Sequence, residues 1–202
     1  MENERMENAV VLHGRVVAEP YSSHENHGER FFAFALEVCR LSGTPDRLNV
    51  LVSQAVLERC PLRLGAEVTV EGEVRSFNNR SGQGSRLVIT VYAKAIRQEQ
   101  GEDDNRLRLC GTLCKPTVFR RTPLGRDICD MMLAVNRRYG RADYLPCIVW
   151  GTLAHRCAAL GVGDKVRLEG RLQSRTYTKR IGEEQEERTA FEVSVMTMEE
   201  CE

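Results

Sequence analysis

The stretch Gly163–Tyr177, "GDKVRLEGRLQSRTY", decides how this chain is read. Val166, Leu168 and Leu172 fall on one parity, and Arg167, Arg171, Arg175 and Tyr177 on the other. Successive side chains of a strand point to opposite faces. The segment is therefore a long strand with one apolar face and one basic rail that ends in an aromatic ring. Gly170 interrupts it and predicts a bend, because a glycine inside a strand marks a bulge or a close backbone approach.

The surrounding composition shows what the rail can serve. The chain has 202 residues, is 42% hydrophobic and only 6% aromatic, and has no formal net charge. That zero hides an asymmetry. Residues 1–100 hold 12 basic and 13 acidic side chains, residues 105–181 hold 16 basic and 5 acidic, and residues 182–202 hold 1 basic and 8 acidic. The central block, at +11, is a footprint suited to a polyanion; charge alone would equally describe a solvated basic face. No run approaches the ~18 apolar residues of a membrane span, and "MENERMENAV" is polar and acidic rather than a secretory leader. The expected location is the cytoplasm. None of the eight cysteines forms a Cys-x-x-Cys pair, and Cys110 and Cys114 on one strand stand about 13 Å apart. They read as buried thiols, with no metal and no cofactor. His24 and His27, in "SSHENHGE", read as loop residues.

The chain also repeats itself. Asn8–Arg40 lies on Asn105–Arg137, matching Gly14 to Gly111, Gly28 to Gly125, Leu36 to Leu133, Val38 to Val135 and Arg40 to Arg137; with one residue of slip, Glu71-Gly72 meets Glu169-Gly170. Residues 1–97 and 105–202 are then two domains, joined by the acidic, flexible linker 98–104. In the second, strands are expected over "NRLRLCGTLCKP", "DICDMMLAVNR", "YLPCIVW", the rail itself and "RTAFEVSVMTM", with a short helix in "TLAHRCAALG". The first repeats that order. Five strands with one short helix between the third and fourth fit a Greek-key barrel of the OB type. The fold class is all-β: two tandem five-stranded OB barrels.

The few rings are then informative. Tyr144 and Trp150 are six apart on the third strand, hence on one face and about 20 Å apart. Trp150 follows "CIV" and precedes the helix, so pattern alone leaves it between core and surface. Tyr177 ends the rail, and Tyr139 sits at a hairpin tip in "RRYGR". Arg137, Arg138, Arg141, Arg171, Arg175, Lys179 and Arg180 interleave with these rings. Rings offer every base a flat partner, worth ~1–3 kcal/mol each, and cations track phosphates and release their counterions. Together they suit a single strand and tolerate its sequence.

On the residues "LAVNRRYGRADYLPCIVWGTLAHRCAALGVGDKVRLEGRLQSRTY", Leu133–Tyr177, the second repeat resembles the bacterial single-stranded DNA-binding protein family. The Val-Trp-Gly before the helix and the long Gly-Asp-x-Val-x-Leu-x-Gly-Arg-Leu-Gln-Ser-Arg-x-Tyr run carry the resemblance. It implies an OB fold, no catalysis, binding of single-stranded DNA in replication, repair or recombination, and stacking rings at Tyr139, Tyr144, Trp150 and Tyr177. It also implies four barrels per assembly, here a dimer of two-barrel chains, in the nucleoid. The family's acidic tip closing in Pro-Phe, which recruits replication and repair proteins, has no counterpart in "EECE". The first repeat shares only the skeleton: Arg47, Ser53 and Asn79 stand where Tyr144, Trp150 and Tyr177 are, and Phe77 stands opposite Arg175. It is expected to be a structural, pairing barrel. The competing reading is a protein-interaction module that reuses the OB skeleton. An enzyme finds no support, since no phosphate loop, carboxylate pair or Cys-His arrangement appears.

Overall fold

Alternation builds both barrels. In β1 (Asn8–Val16) Leu12 and Val16 are buried, and in β3 (Glu29–Cys39) the even positions Phe34, Leu36 and Val38 are, so one face of each strand enters a core. The computed structural model describes residues 7–79, 86–137, 140–181 and 184–201. After β1 come β2 (Tyr21–Asn26), β3, β4 (Pro45–Ser53), α1 (Gln54–Arg59), β5 (Glu67–Asn78) and β6 (Leu87–Gln98). The second repeat holds β7 (Asp104–Leu113), β8 (Val118–Arg121), β9 (Asp127–Asn136), β10 (Ala142–Trp150), α2 (Thr152–Ala158), β11 (Lys165–Ile181) and β12 (Glu184–Cys201). Neither helix is long and apolar enough to cross a membrane.

Each repeat contains the five expected strands, with the helix in the expected place, and one more. The order in the first is β2-β3-β4-β6-β5-β1, closed by β1 pairing back on β3; in the second it is β8-β9-β10-β12-β11-β7, closed by β7 on β9. In both, a parallel pair links the strand before the helix to the last strand, β4 to β6 and β10 to β12. The additional strands are β2 and β8. His24 therefore lies on an edge strand rather than in a loop, and His27 occupies the tight turn to β3 with a positive φ of 50°. The strands of the last hairpin are also longer than expected. They reach Ile181 and resume at Glu184, so Glu184–Glu187 are strand.

Closure forces backbones together. A Cβ on Gly14 would stand 2.2 Å from the Glu37 carbonyl oxygen, and one on its counterpart Gly111 2.6 Å from that of Ala134. The second matched pair behaves alike: Gly72 would meet the Tyr92 carbonyl oxygen at 2.1 Å and Gly170 that of Ser194 at 2.2 Å. Gly72 also sits at a register shift in the β5–β6 ladder. The glycines predicted to bend the strands are where a side chain has no room.

A buried ion pair is also repeated. Arg40 grips both oxygens of Asp46, and Arg137 both oxygens of Asp143; the aspartates are 1% and 0% exposed. Each pair ties the two strands of a hairpin, β3 to β4 and β9 to β10. Asp46 takes two further hydrogen bonds, from the backbone N–H of Ser174 at 2.7 Å and its hydroxyl at 3.1 Å, while Arg40 donates to the Ser174 carbonyl. A buried carboxylate persists only when its lone pairs are satisfied.

By contacts the chain divides into two compact units. One comprises the described residues of Ala9–Arg106 and Gln173–Ala190; the other comprises those of Met1–Asn8, Leu107–Leu172 and Phe191–Glu202. The outer half of the β11–β12 hairpin thus groups with the first repeat, which is how Ser174 comes to Asp46. The linker is held rather than free: the Cys39 N–H donates to Asp103, and Gly101 lies over the His13 ring.

Gly170→Ala is expected to cost about 1–3 kcal/mol of stability through the forced backbone shift, read as a lower urea midpoint. Arg137→Ala strands a buried carboxylate, and the expected loss approaches the ~3–5 kcal/mol of a broken buried pair in the same measurement. Burial pushes the Cys147 thiol far above its ordinary value, and that of Cys157, helped by its hydrogen bond with Cys129, to about 12. The thiolate is the reactive form, so iodoacetamide at pH 8 should leave both unlabelled until urea unfolds the chain.

Candidate nucleic-acid interface

On β10 the core parity is Asp143, Leu145, Cys147 and Val149, all buried. Tyr144 and Trp150 take the other parity and are 49% and 38% exposed. The register places Tyr144 opposite Ala134 and Trp150 opposite Ile128, so each ring stands over a smaller neighbour that leaves it open. The ambiguity over Trp150 resolves toward the surface, on the same face as Tyr144.

Trp150 borders an open groove of about 570 Å3, lined also by Arg126, Asp127, Thr152, His155 and two glycines. Asp127 is held from two sides. Arg121 donates to Oδ1 at 2.7 Å, and His155 Nε2 lies 3.0 Å from Oδ2; a carboxylate can only accept, so this nitrogen carries the proton. Arg121 first, and His155 second, hold the Asp127 carboxyl below the usual carboxylate range. The Phe119 ring, 41% exposed, lies 4.8 Å from that of His155. Phe119, Arg126 and His155 are absent from the sequence-based set. Arg126 had a signal, a cation directly after the "PLG" turn. His155 had none, because its partner Asp127 is 28 residues away.

The remaining expected residues are placed as follows. Arg141 is exposed, and Arg171 is half-buried with its Nε buried and without a partner among the described residues. Arg137, expected beside a phosphate, is paired with the buried Asp143. Arg175, Tyr177, Lys179 and Arg180 belong to the hairpin segment that groups with the first repeat. There Arg175 is exposed and its guanidinium carbon lies 5.7 Å from the Tyr177 ring centroid, a cation–π contact; Arg180 is also exposed. Arg138 and Tyr139 lie outside the described residues, as does the side chain of Lys179. Arg167 on the rail faces Glu7 at 3.6 Å.

The first repeat is not ringless at the equivalent place. Ser53, the counterpart of Trp150, is buried and pairs with Phe31, the counterpart of Ile128. The ring has changed strands. Phe31 is covered, however: His24 stacks on it at 5.0 Å, Tyr92 leans on it at 6.1 Å, and Arg75 lies over Tyr92. Phe77 is 46% exposed. The nearby cations Arg75 and Lys94 both pair with Glu73.

Comparisons with known proteins agree with this geometry. Residues 104–200 match the model of the Single-strand binding protein family. The chain is 34% identical over 85 residues to the single-stranded DNA-binding protein of Clostridium tetani, covering 39% of this chain and 59% of that protein. It is 35% identical over 86 residues to single-stranded DNA-binding protein A of Bacillus subtilis, covering 39% and 50%. The matches thus span between half and three fifths of these relatives. Over its whole length the fold is that of the wild-type single-stranded DNA binding protein from Thermus aquaticus, with a TM-score of 0.80, 23% identity, and 97% of this chain and 93% of that one covered. The match to the single-strand binding protein family runs from the first strand of the second repeat to its last, and it is this repeat that belongs with the family.

Proposed function

We propose that the chain binds single-stranded DNA without catalysis and with little regard to sequence, protecting it in replication, repair or recombination. The observation that carries this reading is the pair of exposed rings, Tyr144 and Trp150, standing on one outward face of a strand whose other face is core. An exposed tryptophan costs contact with water that folding alone gives no reason to keep. Bases laid on such rings gain ~1–3 kcal/mol each. Arg141 and Arg171 supply charge near this face, and Arg175, Tyr177, Lys179 and Arg180 supply contacts along the hairpin. Arg138 and Tyr139 join them by sequence. Counterion release by these cations makes binding salt-dependent.

The first repeat serves this function as a scaffold. Phe31, at the place equivalent to the Trp150 site, is covered by His24 and Tyr92, and the nearby Arg75 and Lys94 are paired with Glu73, so that place offers a strand neither an open ring nor an unpaired cation. Two such chains would supply four barrels, and a homodimer is the assembly this reading takes. The protein-interaction alternative draws on the same first repeat, but it leaves Tyr144 and Trp150 without a role.

Trp150 is the only tryptophan, so its fluorescence reports directly on the face. Titration with oligo-dT should quench it, and Trp150→Ala should weaken binding by ~1–3 kcal/mol with the salt slope unchanged. Arg175→Ala should instead reduce the slope by ~0.7, the value for one phosphate on a single strand. Unquenched fluorescence at saturation would remove Trp150 from the path.

A further inference from the structure

The groove beside Trp150 poses an electrostatic problem. A surface meant for a polyanion holds a carboxylate, Asp127, at its edge. Left alone, that charge would oppose a phosphate across a few ångströms, and like charges at that range repel. Asp127 is not left alone. Arg121 reaches it from the neighbouring edge strand, bonding to Oδ1 at 2.7 Å and Oδ2 at 3.3 Å, and His155 reaches Oδ2 from α2. Arg121 lies outside the groove lining, and its guanidinium is spent on this one carboxylate. Arg126 is the reverse case. It lines the groove and is exposed, and its guanidinium has no partner among the described residues. Only its backbone is anchored, by an N–H donated to the Thr122 hydroxyl at 3.0 Å.

We infer that the groove seats one nucleotide of the bound strand: the base lies on Trp150, the phosphate meets Arg126, and Arg121 with His155 masks the Asp127 carboxylate that would otherwise repel it. The inference rests on the single-strand reading above and adds residues that reading lacks. The dimensions suit it, since about 570 Å3 lies in the range of small-ligand sites. The Thr152 hydroxyl, also in the lining, can donate to a phosphate or accept from a base edge. Phe119, against the His155 ring, holds the imidazole in place so that its N–H stays directed at Asp127. Arg121 is thus a positioning residue: it acts on the strand through Asp127 and never touches it.

Full-length protein and oligo-dT test this, with Trp150 quenching as the readout over a series of salt concentrations. Arg126→Gln should reduce the salt slope by ~0.7, one phosphate's worth. Arg121→Gln should weaken binding several-fold at low salt, with the difference shrinking as salt screens the unmasked charge. Adding Asp127→Asn to Arg121→Gln should restore affinity, since no charge is left to mask; a merely structural role for Arg121 would not be rescued this way. Urea midpoints separate folding losses from binding losses. A slope unchanged in Arg126→Gln, or an Arg121→Gln defect that Asp127→Asn fails to relieve, would overturn the seat while wild-type quenching left the single-strand reading standing. Wild-type protein that neither binds nor quenches would overturn both.

Discussion

Everything on the surface of this chain depends on four places where two backbones pass too closely for a side chain. Gly14 and Gly111 let β1 turn back onto β3 and β7 onto β9, and Gly72 and Gly170 let β5 cross β6 and β11 cross β12. A closed sheet has no choice here. Strands must tilt and bend to meet, and the bend brings a carbonyl within about 2 Å of where a Cβ would be. Once closure is set, the parity of every strand is set with it. Tyr144 and Trp150 face outward because Leu145 and Val149 have nowhere to go but in.

The two repeats show how one frame supports different surfaces. Both keep the closing glycines, the parallel pair beside the helix and the Arg–Asp clasp on the central hairpin. They differ where nothing in the frame constrains them. Tyr144 opposite Ala134 becomes Arg47 opposite Glu37, and Trp150 opposite Ile128 becomes Ser53 opposite Phe31. The exchange of a ring between paired strands keeps the aromatic volume on that face but reverses its use. Phe31 is roofed by His24 from the edge strand, which closes a surface that stays open at Trp150. Two barrels on one frame thus differ by a few outward side chains.

What the sequence disclosed follows from what period-two alternation can report. Strands with one buried face announced themselves, and the glycine pairs were legible because the repeat aligned them. The edge strand β2 was silent: all six of its residues are exposed, so "YSSHEN" carries no alternation and resembles a loop. The length of the β11–β12 hairpin was hidden for the same reason, since its outer part is polar on both faces. The ion pair of Arg137 was hidden for a different reason. A cation in a basic, ring-containing segment has the same letters whether it faces a phosphate or a buried aspartate six residues on. Only the 0% exposure of Asp143 tells the two apart. Repetition offered a hint, because its counterpart Arg40 stands in a repeat with no basic excess.

That distinction changes how the charge asymmetry is to be understood. Of the cations in the +11 block, Arg106, Arg108, Arg120, Arg121, Arg137 and Arg167 are engaged with carboxylates. Most of these pairs are exposed and add little to stability. Their larger consequence is to remove cations from the count that can release counterions. The cations left without a carboxylate among the described residues include Arg126, Arg141, Arg171, Arg175 and Arg180. Charge is felt over roughly 8 Å at physiological salt, so on the proposed single-strand reading these positions, and not the net charge of the block, are the ones expected to set how steeply binding falls with salt. On that reading the same short range would let a chain of zero net charge hold a polyanion, because the local field at an open ring is made by the side chains beside it and not by the sum over the chain.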